Sequence, residues 1–195
     1  MIQLVDKPVP WPNNARVAVA ITFDIDVDSI LHLAHPDTSH KMAATLSMLR
    51  YERIAVKRIV DIFNSFGIKQ TFFFPAWCME QYPDLVEYIL KGGHEIAHHG
   101  YIHESPNTLS RDEEYYWLQK SIDIIERMTG QRPRGYRAPV YNFSEHTTDL
   151  LVEEGFLYDA SLMGDDVPYV LRSKKGEIIE IPSHWALDDW GHYAY

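Results

Sequence analysis

The sequence predicts one α/β domain built on a largely parallel sheet. The chain has 195 residues and is 46% hydrophobic, which suits a single domain with one substantial core. Apolar segments of strand length alternate with amphipathic segments of helical spacing, as in strands joined by helical crossovers. We count six strands in this pattern. Six strands are compatible with an open sheet or with an incomplete barrel.

The strands are predicted from short apolar runs. The first run, residues 16–23, is almost continuously apolar, which is typical of a strand covered on both faces. Further runs predict strands at residues 69–74 and 94–97, and shorter ones at residues 135–137, 157–161 and 178–181. In barrels of parallel strands, functional residues gather at the carboxyl ends of the strands.

The helices are predicted between these strands. Apolar residues at helical spacing over residues 51–66 end at Gly67, a natural C-terminal signal. Shorter helices are predicted over residues 83–91 and 144–154. The longest helix begins after the capping box Ser110-Arg-Asp-Glu113 and runs to about Met128.

Composition excludes several classes of function. The net charge is −10 and the basic residues are scattered, so the chain offers no basic stripe for a nucleic-acid backbone. Its apolar runs are shorter than the roughly eighteen residues that a membrane span needs. The first fourteen residues lack the pattern of a secretory signal, and the single cysteine, Cys78, cannot form an internal disulfide. We therefore predict a cytoplasmic protein that binds neither nucleic acid nor membrane.

Carboxylates and imidazoles follow two of the predicted strands. Asp24 and Asp26 end the first strand, and the third strand opens the run His94-Glu-Ile-Ala-His98-His99-Gly-Tyr-Ile-His103. Carboxylate and imidazole together bind divalent metals, and a further carboxylate nearby can accept a proton. The run holds two pairs at i, i+4 spacing, His94/His98 and His99/His103, and spacing does not choose between them. The pattern indicates metal-assisted hydrolysis. A hydrogen-bonded histidine cluster without a metal is the alternative.

Three motifs resemble those of the polysaccharide deacetylases (carbohydrate esterase family four, the NodB-type fold). Residues 22–26, Thr-Phe-Asp-Ile-Asp, resemble the first motif with one residue inserted between its two aspartates. Residues 93–103 are similar to the second motif, and residues 135–139, Gly-Tyr-Arg-Ala-Pro, resemble the third. Trp11-Pro12 and Leu187-Asp-Asp-Trp190 indicate an intracellular branch with peptidoglycan deacetylase-like, allantoinase-like and cyclic imidase-like members.

The resemblance implies a fold and a division into segments. It implies a NodB-type irregular (β/α) barrel as the catalytic domain of residues 16–195, incomplete at its carboxyl-terminal end. An N-terminal arm of residues 1–15 precedes this domain. The family's late leucine-rich motif, whose histidine is the general acid, has no match after the third motif, where His146, His184 and His192 stand.

The resemblance also implies a role for each site residue. Asp26, His99 and His103 occupy the positions of the metal ligands, and three protein ligands leave coordination positions open for water and substrate. Asp24 occupies the position of the catalytic base. Arg137 would orient that aspartate and keep it ionised. The cofactor expected is a divalent metal, zinc first, although cobalt, nickel and iron accept similar ligands.

Other polar and aromatic residues are given structural or substrate-binding roles. Tyr141 and Trp185 are expected to stack on a sugar or another flat ring, with core packing as the alternative. Among the histidines outside the ligand set, His94 is expected in the core and His98 in the pocket wall. His32, His35 and His40 are expected at the surface of a loop that follows the first strand.

The function predicted is hydrolysis of a non-peptide carbon–nitrogen bond, most simply an N-acetyl group on an amino sugar or polysaccharide. Opening of a cyclic imide or ureide, as in an allantoinase, is the first alternative, because both reactions use the same activated water. A catalytically silent binding module of the same fold is the second. The partner expected is a saccharide or small molecule, and the chain is a candidate homo-oligomer.

Overall fold

The computed structural model describes residues 9–193, and for residues 51–53 the backbone alone. Its centre is one seven-stranded sheet in the order β1-β2-β3-β4-β5-β7-β6. The strands are β1 (Thr22–Asp24), β2 (Thr71–Phe74), β3 (Glu95–His98), β4 (Gly135–Tyr136), β5 (Tyr158–Asp159), β6 (Tyr169–Arg172) and β7 (Glu177–Glu180). All neighbours pair in parallel except β6, which is antiparallel to β7. The predicted α/β fold is confirmed, with β1 and β6 as the two edges of the sheet.

Helices connect the strands and cover the outer face of the sheet. They are α1 (Ser29–Ala34), α2 (Ala43–Arg50), α3 (Lys57–Ser65), α4 (Ala76–Gln81), α5 (Pro83–Lys91), α6 (Arg111–Thr129), α7 (Thr147–Glu153) and α8 (Trp190–Tyr193). A π-helical segment, Tyr51–Val56, joins α2 to α3. The predicted capping box is present at the start of α6, where the side chains of Ser110 and Glu113 each bond the other's backbone N–H.

Strand β2 contributes to the core on both sides, because successive side chains of a strand point to opposite faces of the sheet. Phe72 and Phe74 of β2 point outward and pack against α3, α5 and α6 in the larger cluster. Phe73, between them, points to the inner face with Ala97 and Ala160. All three phenylalanines are fully buried, so β2 is covered on both faces, as its continuous apolar sequence predicts.

The predicted bounds of the first strand were wrong, and one further strand was missed. The first strand covers only Thr22–Asp24, and the preceding residues 16–21 are not in a strand. Val17 and Val19 in this segment are 68% and 77% exposed, so its apolar sequence reflects no packing in this structure. The sequence count also missed β6, an antiparallel strand whose side chains lie on a largely solvated surface and therefore lack a continuous apolar run.

The segment after β1 is helical where a loop was expected. It contains α1, a short 3-10 turn (Ser39–Lys41) and α2, so helical structure begins well before residue 51. Of the predicted N-terminal arm, residues 1–8 lie outside the described residues, and Pro12–Asn14 form a 3-10 turn. Within residues 9–193, no helix is both long enough and apolar enough to cross a membrane.

Candidate metal and catalytic site

The carboxyl ends of neighbouring strands bring the candidate residues to one edge of the sheet. Asp24 is the last residue of β1, and it pairs in register with Phe73 of β2. His98 ends β3 and pairs with Tyr136 of β4, so His99 and Arg137 directly follow neighbouring strands. Parallel strands end at the same edge, and this alignment places residues that are far apart in sequence in one site.

Asp26, His99 and His103 form a cluster with metal-binding geometry. The Nε2 atom of His99 lies 3.4 Å from Oδ1 of Asp26, and Nε2 of His103 lies 3.3 Å from Oδ2. One ligand atom from each of the three residues falls within 4.8 Å of the others. Oδ1 of Asp26 is buried and has no hydrogen-bond partner. A divalent cation would give this oxygen a partner and could also be bound by both imidazoles. The three donors therefore fit the expected metal.

The backbone fixes which nitrogen of His99 faces the cluster. Its Nδ1 lies 2.8 Å from the carbonyl oxygen of Arg137, which can only accept a hydrogen bond. The proton of a neutral His99 therefore belongs on Nδ1, and Nε2 presents a lone pair toward Asp26. Both rings are buried, and they meet edge to face with 5.2 Å between centroids.

The loop that carries the two histidines is held by Glu104. Its carboxylate accepts hydrogen bonds from the backbone N–H groups of Tyr101 and Ile102, at 2.7 to 3.0 Å. Gly100 has a φ of +73°, and a Cβ atom there would lie 3.1 Å from the carboxylate of Glu104 and 3.0 Å from Pro139. The glycine is therefore required both by its backbone angle and by the close approach of its neighbours.

Asp24 is bound on one oxygen and faces the cluster with the other. The Nη1 group of Arg137 donates to its Oδ1 at 2.7 Å, while its Oδ2 lies 3.8 Å from Nε2 of His99. Arg137 also donates through Nη2 to Oγ1 of Thr22 and through Nε to the carbonyl of Ala160, at 3.0 and 2.9 Å. Its guanidinium covers the ring of Phe73 at 4.1 Å. The arginine is thus fixed, and the aspartate with it.

The charges of the site shift the pKa values of its members. Burial alone would raise the pKa of Asp26, but the close contacts with His103 and His99 outweigh it and hold this pKa well below its usual range. Burial would lower the pKa of His99, yet Asp24 and Asp26 raise it. Burial opposes the charge of Arg137 as well, and Asp24 nevertheless raises its pKa. The two carboxylates therefore favour the charged form of His99.

A polar network behind Arg137 was not found from the sequence. Oγ of Ser161 accepts from the backbone N–H of Ala138 and donates to Oδ1 of Asp159, at 2.8 and 2.7 Å. Asp159 of β5 stands in register with Glu180 of β7, and both carboxyl groups are fully buried. Burial and the neighbouring Asp159 raise the pKa of Glu180 to about 10. Asp159 and Glu180 each lie in a predicted strand, residues 157–161 and 178–181, but the sequence does not show that these strands pair.

Tyr141 and Trp185, the two residues predicted to bind substrate, lie together. Their rings meet edge to face at a centroid distance of 5.0 Å, and the Tyr141 hydroxyl donates to Asp188. The guanidinium of Arg137 lies 5.7 Å from the ring of Tyr141, which connects the pair to the base. Trp185 is 47% exposed, so one side of the pair is open to a ligand.

Of the remaining histidines, some lie in the core, some at the surface, and His32 is half-buried and hydrogen-bonded. His94 is buried and accepts from the backbone N–H of Gln70, as a core residue does. His98 was expected in the pocket wall, and this was wrong. It is buried between Tyr136 and Phe156, and burial lowers its pKa to about 3. It belongs to the core because β3 turns its side chain toward α6.

The surface prediction for three further histidines holds for two of them. His35 and His40 are exposed. His32 is half-buried in α1, where its ring packs on Trp77 and hydrogen bonds two other residues of the same segment. The late histidines His184 and His192 both contact the backbone of Ala186 through a ring nitrogen.

Comparison with known proteins gives one family. Residues 13–158 match the polysaccharide deacetylase family. A peptidoglycan deacetylase of Helicobacter pylori is 32% identical over 160 residues, which are 70% of this chain and 55% of that protein. The structure of a Mycobacterium smegmatis protein named for the same family has a TM-score of 0.90 at 40% identity, and covers 94% of this chain and 64% of its own.

A third similar protein carries a different name. The structure of the allantoinase Puue has a TM-score of 0.83 at 25% identity over 94% of this chain and 68% of its own. The chain thus spans 55% to 68% of the length of these three proteins. The match to the family covers most of the chain and includes all three motifs. This chain therefore belongs to the polysaccharide deacetylase family.

Proposed function

We propose that the protein is a metal-dependent hydrolase of a non-peptide carbon–nitrogen bond, with the N-acetyl group of an amino sugar or polysaccharide as substrate. One observation carries the proposal. A three-residue metal-binding cluster, Asp26, His99 and His103, lies beside a fourth side chain, Asp24, whose free oxygen is 3.8 Å from His99. Hydrolysis of an amide by activated water needs a cation and a proton acceptor in this relation.

Asp26, His99 and His103 would hold the metal. One carboxylate and two imidazoles suit zinc, and cobalt, nickel and ferrous iron accept the same donors. A cation bound here supplies Lewis acidity, which polarises the amide carbonyl and lowers the pKa of a water toward neutrality. The buried, partnerless oxygen of Asp26 supports this assignment, because such an atom costs free energy without a partner.

Asp24 would accept the proton of the attacking water on Oδ2. Its other oxygen is occupied by Arg137 at 2.7 Å, so the carboxylate has one orientation and one free oxygen. The bond from Arg137 thus holds Asp24 with its free oxygen toward the cluster, as a positioned base requires. The protonated carboxyl can then return the proton to the nitrogen as the carbon–nitrogen bond breaks, so that acetate and amine leave.

Tyr141 and Trp185 would bind the substrate. An edge-to-face pair with one exposed ring offers a flat apolar surface on which a sugar or cyclic amide can stack. The contact of Arg137 with Tyr141 would connect this surface to the base. The protein's partners are then saccharides or other small molecules. A cytoplasmic location and assembly into a homo-oligomer stay predictions.

Similarity to named relatives supports the choice of substrate. The Helicobacter pylori relative is named a peptidoglycan deacetylase, and a Bacillus cereus relative, 28% identical over 100 residues, a peptidoglycan-N-acetylglucosamine deacetylase. Both names describe removal of an acetyl group from a cell-wall saccharide. Since this chain spans 55% and 36% of those two proteins, the activity of a whole protein is carried over only as a proposal.

A second candidate is the hydrolytic opening of a cyclic imide or ureide. The observation that favours it is the likeness to the allantoinase Puue, which extends over 94% of this chain. Opening of a cyclic amide would use the same residues, with Asp24 accepting the proton of the attacking water. The two functions differ in the product, since ring opening releases no second acid.

One experiment separates the candidates. The purified protein is loaded with zinc and incubated with N-acetylglucosamine oligomers, peptidoglycan fragments, allantoin and a cyclic imide, with His103→Ala as the matched inactive variant. Release of acetate that depends on His103 supports the deacetylase, whereas ring opening without acetate supports the second candidate. If the protein binds no metal and the variant matches it on every substrate, both hydrolase functions are wrong and a silent binding module is favoured.

A further inference from the structure

Helix α4 contacts both segments that carry the candidate metal ligands. At its first turn, the backbone N–H groups of Ala76 and Trp77 donate to the carbonyl groups of Gly100 and Tyr101, at 3.1 and 2.7 Å. These carbonyls lie in the loop between the two histidine ligands. The start of α4 therefore fixes the position of the histidine loop.

The side chains of α4 and of the residue after it reach the other segment. Sγ of Cys78 donates to the carbonyl of Asp26 at 3.1 Å, and the hydroxyl of Tyr82 donates to Oδ1 of Asp28 at 2.7 Å. The ring of Trp77 packs on His32 with 4.8 Å between centroids. One short helix thus sets the distance between the aspartate ligand and the histidine ligands.

Asp28, His32 and Ser39 continue this support as a hydrogen-bonded chain. Nε2 of His32 lies 3.1 Å from Oδ2 of Asp28, and Nδ1 lies 2.9 Å from Oγ of Ser39. Thr45 then donates to the carbonyl of Ser39 at 2.7 Å. The sequence of acid, imidazole and hydroxyl is that of a serine hydrolase triad. However, Ser39 is 0% exposed and Asp28 only 2%, so no substrate can reach the hydroxyl. These three hydrogen-bonded residues therefore have a structural role.

The backbone between Asp26 and Asp28 needs such support. Val27 has a φ of +47°, a left-handed conformation that a β-branched side chain rarely adopts. A residue held in this region costs free energy and persists only where its surroundings impose it. The bonds to Asp28 on one side of Val27, and to the carbonyl of Asp26 from Cys78 and from the N–H of Ser29, impose it here.

We propose that Asp28, His32 and Ser39 are positioning residues that hold Asp26 in the geometry of a metal ligand, with α4 as the shared support. The inference rests on the proposed function insofar as Asp26 binds the cation. The three residues do not touch substrate or metal. They act by keeping the strained turn at Val27 closed, so that the aspartate meets both histidines without reorganisation on binding.

The test compares two histidine substitutions in the same segment. His32→Phe keeps an aromatic ring against Trp77 and removes both hydrogen bonds, while His35→Phe alters an exposed histidine and is the control. Zinc affinity is measured by competition with a chromophoric chelator, well below the melting temperature of each variant. We expect His32→Phe to bind zinc about 10–100-fold more weakly than the wild type, the usual cost of an outer-shell partner. His35→Phe should match the wild type.

A role in folding alone would give a different result. His32→Phe would then lower the melting temperature in a chelator but leave the zinc affinity of the folded protein unchanged, and this outcome overturns the proposal. Ser39→Ala, a milder change, should weaken zinc binding in the same direction and by less. Asp28→Asn keeps an oxygen acceptor for Tyr82, so its loss of zinc affinity should lie between those of His32→Phe and Ser39→Ala.

Hydrogen exchange keeps the inference separate from the proposed function. The N–H of Ser29 bonds the carbonyl of Asp26 across the strained turn, so the peptide covering residues 26–31 reports its opening without any metal. We expect faster exchange there in His32→Phe than in His35→Phe. If the wild type binds no zinc, the proposed function fails, whereas equal exchange in the two variants contradicts the positioning role whatever the metal does.

Discussion

The site has a metal half, Asp26, His99 and His103, and a base half, Asp24 and Arg137. The two halves differ in whether their polar atoms have partners when no ligand is bound. In the metal half, Asp26 faces two imidazoles at 3.3 and 3.4 Å and keeps one buried oxygen without a partner. In the base half, Arg137 donates three hydrogen bonds of 2.7 to 3.0 Å, to Asp24, Thr22 and Ala160. The first half gains a partner when a cation binds. The second half is already satisfied.

This difference indicates how the two halves should respond to change. Removing one member of a satisfied buried hydrogen-bond network lowers the free energy of unfolding, whether or not a ligand is bound. A cluster with an unpartnered oxygen gains stability when a cation binds, by an amount that grows with the cation concentration. Substitutions in the metal half should therefore appear in cation binding, and substitutions in the base half in turnover and stability.

The largest effect is expected from His103→Ala. The substitution removes one of three ligands, so zinc affinity should fall by more than about 100-fold, beyond the usual cost of losing an outer-shell partner. Hydrolysis should fall to background with it. Metal content after dialysis and the zinc-dependent rise in melting temperature measure the change.

The control for His103→Ala is an exposed histidine. His40→Ala removes an imidazole of the same chain without touching the cluster, and it should bind zinc like the wild type. Equal zinc content in His103→Ala and the wild type would remove His103 from the ligand set. His94/His98 is not a ready replacement, because both of those rings are buried and hydrogen-bonded to other groups.

The next effect is expected from Asp24→Asn. The amide keeps an oxygen for Arg137 but cannot accept a proton, so kcat should fall by about 10²–10⁴-fold, the range of a general base. Zinc affinity should change little, since Asp24 lies outside the three-residue cluster. Parallel rate and zinc titrations separate these effects. A loss of zinc equal to that of His103→Ala would make Asp24 a ligand rather than the base.

A smaller effect is expected from Arg137→Lys. The charge is retained, but a lysine cannot donate to Asp24, Thr22 and Ala160 at once. Asp24 then loses its fixed orientation, and kcat should fall by about 10-fold, with KM and zinc affinity near those of the wild type. Steady-state rates at saturating zinc check this. An unchanged kcat would show that charge alone, and not orientation, is what Arg137 supplies.

The sequence predicted the metal half better than its surroundings. Asp26, His99 and His103 follow strand ends and occupy motif positions, and the structure brings them within one cluster. The parallel sheet was predictable for the same reason, because buried strands such as β2 have continuous apolar sequences. The roles of the site residues stay predictions, since convergence in space shows what they can bind and not what they do.

The remaining features depend on contacts that sequence patterns do not contain. His98 and His99 are adjacent, yet alternation along β3 sends one ring into the core and turns the next toward the site. Ser161, Asp159 and Glu180 meet only because β5 and β7 pair in register. The chain of Asp28, His32 and Ser39 likewise spans a segment whose helices have weak sequence signals. Register and side-chain direction are the missing information.

The buried acids behind the base half allow a test of stability with pH. The pKa of Glu180 is raised from 4.5 to about 10, by burial first and by Asp159 second. Between these two values the folded protein holds a proton that the unfolded chain releases. The free energy of unfolding therefore falls as the pH rises through this window, and the contribution is fully present only below about pH 4.5.

Glu180→Gln should remove that dependence, and it has the smallest expected effect. The amide keeps a donor for Asp159 without a proton to lose, so the variant should melt near the wild type at pH 5 and about 5 °C above it at pH 9. Glu177→Gln, on the exposed face of the same strand, should follow the wild type at both pH values. Calorimetry at pH 5, 7 and 9 measures the difference. If it does not widen with pH, Glu180 is ionised in the fold, and the base half rests on a charged network rather than on a shared proton.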